Sequence, residues 1–352
     1  MAKQAAGKVG FALGGLGGFN AHGVGFLQAA RKLGVTPSMI TCTSGMIGWT
    51  ARWLDGEDLE PQLMEQVRED NKFPPPMDWL NTLWIAWFGD PGIFRPAVQE
   101  YWSRWLTPMT RPHPEEMLNR LLPAQVYVPL RAREDLERVS HSFNRSDIPV
   151  AFNTLHPKSG RAYLHINKAA EDFLGVKVGE IGGPEKYMPI TAEAVAGALW
   201  LYFYGFEHRD NPHGLVDGAY NRQFIISELH MCDRIYAVRP QNKKWLGNLP
   251  QNYFETEDFK TELWFNSAYV AETAQMAMVN KLVHSGKLKD KDFHEVELIE
   301  VQVHHQYGYF QYFVEEKSVY ENSLKESTSA LEAHEFTPAP KKPARELAEA
   351  AT

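Results

Sequence analysis

The sequence lacks the features that mark a secreted or membrane-spanning protein. Its 352 residues include only two cysteines, Cys42 and Cys232, too few for a disulfide scaffold. Both fall at the ends of predicted strands and are expected to be buried thiols. No uncharged apolar stretch approaches the ~20 residues that a bilayer span needs, and residues 1–8 contain no apolar run of the kind found in secretory signals. The sequence therefore predicts a soluble, cytoplasmic protein.

An excess of positive charge is also missing. The chain has 36 Lys and Arg against 44 Asp and Glu, a formal net charge of −8. Such a balance does not attract nucleic acid, and no nucleic-acid partner is predicted. His208, Asp210 and His213 are close in sequence, but they lack a fourth ligand and a rigid frame. We therefore expect neither a metal ion nor a cofactor.

A serine at a strand-to-helix corner is the most informative feature that is present. Ser44 follows the β-branched run Met39–Thr43 and precedes a helical pattern that continues to Leu54. This arrangement can lift a nucleophilic hydroxyl clear of the backbone. Taken alone, the pattern is more typical of a serine that caps a helix N-terminus.

A glycine cluster precedes this corner. Gly14, Gly15, Gly17 and Gly18, with Leu16 among them, follow the predicted strand Val9–Leu13. The predicted helix Ala21–Leu33 comes next, so two strand–helix units open the chain and favour a parallel sheet. Because glycine permits unusual φ and ψ angles and close approach, such a loop can direct backbone amides at a developing oxyanion.

A single acid in a tight turn appears much later, where Asp217 precedes Gly218 and Ala219. An aspartate with the ordinary pKa of ~3.9 is a weak base at neutral pH, so burial would have to raise it. Asp-Gly is also a common turn dipeptide with no chemical role. The order of serine, glycine loop and acid, rather than any one of them, suggests a hydrolase.

In this order and context the chain resembles the patatin-like phospholipases. That family combines a glycine-rich oxyanion loop, a G-x-S-x-G elbow and a late D-G-G/A motif. The corresponding segments are residues 13–18, 42–46 and 217–219, with flanking similarity over roughly 8–55 and 148–240.

The resemblance implies a three-layer α/β/α domain over residues 8–320, with a mostly parallel central sheet. It also implies a Ser–Asp dyad that works through an acyl-enzyme. Ser44 would be the nucleophile and Asp217 the base. The amides of the glycine loop would form the oxyanion hole, namely those of Gly14, Gly15, Leu16 and Gly17. The expected substrate is a lipid or another apolar ester.

Residues 56–126 do not fit this pattern and are predicted to form an inserted helical cap. The segment holds five of the ten tryptophans, and Trp79, Trp84 and Trp87 are the candidates for a wall over the substrate. An ordinary subdomain core accounts for these aromatics equally well, and transient membrane contact is a third possibility.

The rest of the chain is predicted from local patterns. Residues 149–156 and 162–166 form a hairpin, and residues 192–204 and 221–229 form helices. From residue 325 to 352 the sequence is polar, and we expect a frayed helix followed by a disordered tail.

Two alternatives remain open. Cys42 and Met46 stand where the family's elbow has glycines, and Leu16 replaces a loop glycine, which would suit a catalytically inactive protein that binds lipid or a protein partner. The other alternative is a Ser–His–Asp esterase, in which His304 or His305 would be the base.

Overall fold

A mixed, mostly parallel sheet forms the centre of the molecule. The computed structural model describes residues 7–17, 19–74, 76–77, 79–90, 92–106, 114–182, 185–206, 211, 213–289, 293–304 and 314–336. Over these residues the strands are β1 (Val9–Leu13), β2 (Met39–Cys42), β3 (Phe94–Pro96), β4 (Tyr127–Pro129), β5 (Val150–His156), β6 (Arg161–Ile166), β7 (Ile181–Gly182), β8 (Glu185–Pro189), β9 (Val216–Asp217), β10 (Arg234–Arg239) and β11 (Glu297–Gln302).

Helices of very different lengths surround the sheet. They are α1 (Ala21–Leu33), α2 (Met46–Leu54), α3 (Leu59–Asp70), α4 (Trp79–Phe88), α5 (Val98–Leu106), α6 (Pro114–Leu121), α7 (Arg133–Arg145), α8 (Lys168–Leu174), α9 (Ala192–Ala198), α10 (Tyr253–His284) and α11 (Lys317–Leu331). The described chain is therefore of the α/β class, as predicted.

The strand order brings the glycine loop and the serine corner together. The main path is β11-β10-β1-β2-β5-β6-β8-β7, and β9 pairs with β5. β1, β2, β5, β10 and β11 run parallel, with Leu13 opposite Cys42 in register. Because β1 and β2 are parallel neighbours, the loops that follow them leave the same edge of the sheet, where α/β folds place their ligands.

Apolar side chains cover both faces of the sheet. Phe11 and Leu13 alternate with Ala12 along β1. Phe11 and Leu13 belong to one buried cluster, and Ala12 belongs to another. One cluster includes residues of α1, α2, α7 and α11, and the other includes residues of α8 and α10. This is compatible with the expected three layers.

Some local patterns predict the structure closely, and others do not. β1 and α1 have the predicted bounds, and α1 ends at Gly34, whose φ of 70° is left-handed. The helix predicted from residue 192 ends at Ala198 instead of residue 204. The Trp200 carbonyl leaves the helical ladder and accepts a hydrogen bond from the Asp217 amide at 2.9 Å.

The helix predicted over residues 221–229 is wrong. Only a short 3₁₀ turn at Ser227–Leu229 forms there. The segment before it packs against β2, where the hydroxyls of Thr43 and Thr41 donate to the carbonyls of Gln223 and Ile225. Those bonds use carbonyl groups that a helix would need.

The C-terminal part is more ordered than its composition suggests. α11 continues past residue 325 with Ser327 and Leu331 buried, and a π-helical turn extends to Phe336. Residues 337–352 lie outside the described part. Cys42 and Cys232 are both free and buried, as expected.

The predicted insertion divides into two parts. α3 packs on α1 through the buried side chains of Leu59 and Leu63. α4 instead contributes Ile85 to a separate cluster with Trp200 and Tyr204. Among the described helices, none has the length and hydropathy that crossing a bilayer requires.

Candidate active site

Ser44 has a strained backbone at the corner between β2 and α2. Its φ of 49° makes it the only non-glycine residue with positive φ in the described chain. A left-handed conformation is costly for a residue with a Cβ and tends to occur at functional sites. The N-cap of α2 is Gly45, and no side chain caps this helix, so the simple capping role for Ser44 is wrong.

Close packing against the glycine loop holds the corner in place. A side chain on Gly45 would overlap the Gly17 carbonyl oxygen and the Asn20 side chain. A Cβ on Gly15 would lie 2.8 Å from the Gly45 nitrogen and 2.9 Å from the Ser44 Cβ. These contacts leave no room for larger residues at Gly15 or Gly45.

The two departures from the elbow pattern are accommodated by the fold. Met46 is buried, and its thioether occupies the space that a Cβ on Gly23 of α1 would fill. Cys42 is fully buried in the core, where burial raises the pKa of its thiol to about 12. Both side chains belong to the buried apolar cluster on one face of the sheet.

Asp217 lies beside Ser44, close enough for the hydroxyl to stabilise its carboxylate. The Asp217 side chain accepts a hydrogen bond from the Ala219 amide at 2.9 Å. Ser44 is 4% exposed and Asp217 is 1% exposed. Burial raises the pKa of Asp217 to about 7, although the nearby Ser44 hydroxyl, the hydrogen bond from the Ala219 amide and the positive charge of Arg131 oppose this rise. Such a carboxylate is suited to act as a base near neutral pH.

Asn153 of β5 supports the turn that presents Asp217. Its side-chain amide donates to the carbonyls of Gly218 (3.3 Å) and Arg222 (2.9 Å). Gly218 lies so close that a Cβ there would overlap the Asn153 side chain. The sequence contains no local signal for this contact, because the two residues are 65 positions apart.

The amides of the glycine loop fall into two groups. The Gly14 amide donates to the Val238 carbonyl at 3.2 Å, and the Gly15 amide donates to the Thr43 hydroxyl at 3.1 Å. Within the described chain, the amides of Leu16, Gly17 and Gly45 have no hydrogen-bond partner. The loop amides of Leu16 and Gly17, and the amide of Gly45 at the serine corner, are therefore available to a ligand beside Ser44.

The described histidines lie elsewhere. His22 is buried and bonded to the Val301 carbonyl at 3.0 Å, and burial lowers its pKa to about 4. His304 pairs with Glu326 at the surface. His305, His208 and Asp210 lie outside the described residues. Among the histidines that the structure does describe, none is hydrogen-bonded to Ser44 or Asp217, and no group of three or more potential metal ligands forms.

A cavity of about 370 Å³ opens beside the serine corner. Gly17, Gly45 and Leu199 line it next to the candidate amides, and Trp49 and Arg131 are also part of its wall. Neither Trp49 nor Arg131 is singled out by the sequence pattern, because they come from a helix and a loop with no motif of their own.

The candidate cap tryptophans have different surroundings. Trp84 contacts Phe88 in a tilted arrangement, with ring centroids 4.3 Å apart, and packs edge-on against Phe73. Trp87 is 74% exposed. Trp79 begins α4, but its side chain lies outside the described part of the structure.

Comparison with known proteins gives no match, either to a protein-family model or to a curated protein.

Proposed function

We propose that this protein is a serine acyl hydrolase of the patatin-like type, which cleaves the carboxylic esters of amphiphilic lipids. The observation that carries the proposal is the proximity of Ser44, with its left-handed backbone, to the buried Asp217, whose pKa is raised by burial and lowered in part by the Ser44 hydroxyl. No metal, cofactor or histidine takes part in the proposed chemistry.

Acylation begins when the Ser44 hydroxyl attacks the ester carbonyl carbon and Asp217 takes the proton. The carbonyl oxygen becomes an oxyanion, to which the amides of Leu16, Gly17 and Gly45 donate. Ser44 stands beside the N-terminus of α2, whose dipole also favours negative charge. The carbon–oxygen bond to the alcohol then breaks, and the alcohol takes the proton from Asp217.

Deacylation repeats these steps with water. Asp217 takes a proton from the water as its oxygen attacks the acyl-enzyme carbonyl. The second tetrahedral intermediate collapses, the bond to Ser44 Oγ breaks, and Ser44 recovers its proton. The products are a carboxylic acid and the regenerated dyad.

The lipid part of the proposal rests on the surface of the cap. Between residues 77 and 130, an unusual number of large apolar side chains are exposed. Examples are Trp87, Phe88, Trp102, Leu106 and Leu122. Exposed apolar surface of this extent is typical of a surface that contacts other apolar molecules, and aromatic side chains suit the interface of a lipid aggregate.

Replacing the nucleophile tests the reaction. Ser44→Ala should lower kcat/KM for a p-nitrophenyl ester by at least about a thousandfold, because the acyl-enzyme cannot form. Ser159→Ala, in the exposed β5–β6 turn, is the matched control and should retain full activity. Unchanged ester cleavage by folded Ser44→Ala would refute the dyad.

Replacing a cap aromatic tests the substrate class. Trp87→Ser should reduce the rate on micellar lipid about threefold to tenfold while changing the rate on a monomeric short-chain ester less than twofold. Met278→Ser, which alters an apolar side chain on α10 that is 65% exposed, is the control. Equal effects of the two variants on micellar lipid would contradict a role for the cap in docking.

A further inference from the structure

One of the cations in the wall of the cavity beside Ser44 has no hydrogen-bonding partner among the residues that the structure describes. The cavity wall contains three cations, Arg52, Arg131 and Arg138. Arg138 pairs with Glu57 at 3.5 Å and with Asp135 at 4.0 Å. Arg52 bonds to Gln62 and lies over the Trp49 ring.

Arg131 differs from both. It is partly buried, and within the described chain its guanidinium makes no hydrogen bond or ion pair with another side chain or carbonyl. It lies within Coulombic reach of Asp217 and Asp90. Asp135 is also within reach, but none of these three carboxyl groups is bonded to the guanidinium. Arg131 therefore presents guanidinium N–H donors without a partner in the described chain to the cavity.

The polar and charged residues of the cavity wall differ in how far they are exposed. Arg131 shares the wall with Gly17 and Gly45, whose amides are free, and with buried Leu199. The acids that line the same cavity, Glu65, Glu69 and Asp135, are all exposed. The more buried part of the wall thus combines free amide donors with the Arg131 guanidinium.

We propose that Arg131 determines specificity, and that the substrate is an amphiphilic ester with a carboxylate or phosphate group close to the scissile bond. This inference rests on the proposed function. Arginine binds both oxyanions through paired N–H donors, and such charge-assisted bonds are stronger than neutral ones. The apolar chain of the same substrate would contact the exposed surface of the cap.

The test compares matched pairs of esters. One pair is p-nitrophenyl hemisuccinate and p-nitrophenyl butyrate, which differ by a carboxylate. The other pair is a short-chain 1-acylglycerol 3-phosphate and the matching 1-acylglycerol, which differ by a phosphate. The measured quantity is the ratio of kcat/KM for the anionic ester to kcat/KM for its neutral counterpart.

Arg131→Met should lower this ratio by at least about tenfold in one of the two pairs, because a charged hydrogen-bonding partner is lost. Arg131→Lys should restore part of the ratio. Arg133→Met removes the same charge two residues away, from a side chain that is paired with Glu137 at the surface, and should change the ratio less than twofold. The pair that responds identifies the anion as carboxylate or phosphate. An unchanged ratio in both pairs for Arg131→Met would overturn the inference.

A binding experiment separates this inference from the proposed function. If the wild-type protein cleaves none of the four esters, the proposed function fails, and calorimetric titration with succinate and glycerol 3-phosphate then decides about the anion site. Saturable binding of either compound that is lost in Arg131→Met supports the site. No binding by the wild-type protein refutes it.

Discussion

Two groups of buried carboxyl groups adjoin the glycine loop, and they differ in what they bind. Asp217 faces the Ser44 hydroxyl. Glu315 instead accepts from the amides of Asn20 (2.6 Å) and Ala21 (2.7 Å), and its own amide donates to Asp70 at 2.9 Å. Burial raises the pKa of Asp70 to about 7, the same value as for Asp217. A raised pKa therefore does not identify a base here; the group that lies beside the carboxyl group does.

The second group has a structural role. Glu315 binds the first amides of α1, which otherwise lack partners within the helix. The glycine loop ends at this point, so the contact fixes the direction in which the loop enters α1. Asp70, at the end of α3, orients Glu315 in turn.

The largest predicted effect is the difference in activity between two Asp→Asn variants, one at Asp217 and one at Asp70. Asp217→Asn should lower kcat/KM on a neutral ester by at least about a thousandfold, since an amide cannot take the proton from Ser44. Asp70→Asn keeps an oxygen acceptor for the Glu315 amide and should stay within about threefold of wild type. A comparable loss in both variants would show that the whole acidic region, rather than Asp217, governs turnover.

Removing Glu315 should mainly affect stability. Glu315→Ala leaves two buried amides of α1 without an acceptor, and the free energy of unfolding should fall by roughly 2–5 kcal/mol. Urea denaturation followed by circular dichroism measures this change. Glu316→Ala, at the adjacent but more exposed position, is the control. A fall of less than about 1 kcal/mol in Glu315→Ala would contradict its structural role.

The pH dependence of activity should report Asp217 alone. The base must be deprotonated, so kcat/KM should rise about tenfold per pH unit below an inflection near 7 and level off above it. Asp70→Asn should leave the inflection in place. An inflection that moves in Asp70→Asn, or one near pH 4, would show that Asp217 does not have the environment described.

The pH dependence of stability should report the buried acids that do not face Ser44. Asp90 is 1% exposed, and burial raises its pKa to about 8, well above the ordinary value. Between about pH 4 and pH 8 the unfolded chain releases this proton while the folded protein keeps it, so stability falls as pH rises through that window.

From pH 5 to pH 8 the free energy of unfolding of the wild type should therefore fall by roughly 1–4 kcal/mol more than that of Asp90→Asn, which has no carboxyl group to titrate at this position. Asp172→Asn, at an exposed site, should show no such gain. Thermal unfolding at the two pH values provides the comparison. An equal pH response in wild type and Asp90→Asn would refute a raised pKa at this position.

Local sequence patterns predict the parts of the site that are local in the fold. The strands that precede the glycine loop and Ser44 are short apolar runs, and glycines or Ser44 mark where they end. β1, α1 and the serine corner could therefore be placed from the sequence. Asn153, Arg131 and Glu315 could not be placed, because each acts across 65 or more residues on a group that no local pattern connects to it. The helix predicted over residues 221–229 does not form for the same reason, because carbonyls of this segment accept hydrogen bonds from Thr41 and Thr43, at least 180 residues away.

The central claim is that Ser44 is a nucleophile activated by Asp217. The most direct measurement is reaction of the purified protein with a fluorophosphonate probe, followed by mapping of the adduct by mass spectrometry. The account predicts one adduct, on Ser44, that forms much more slowly in Asp217→Asn and is absent in Ser44→Ala. A folded protein that forms no adduct, or forms one on another serine, would contradict it.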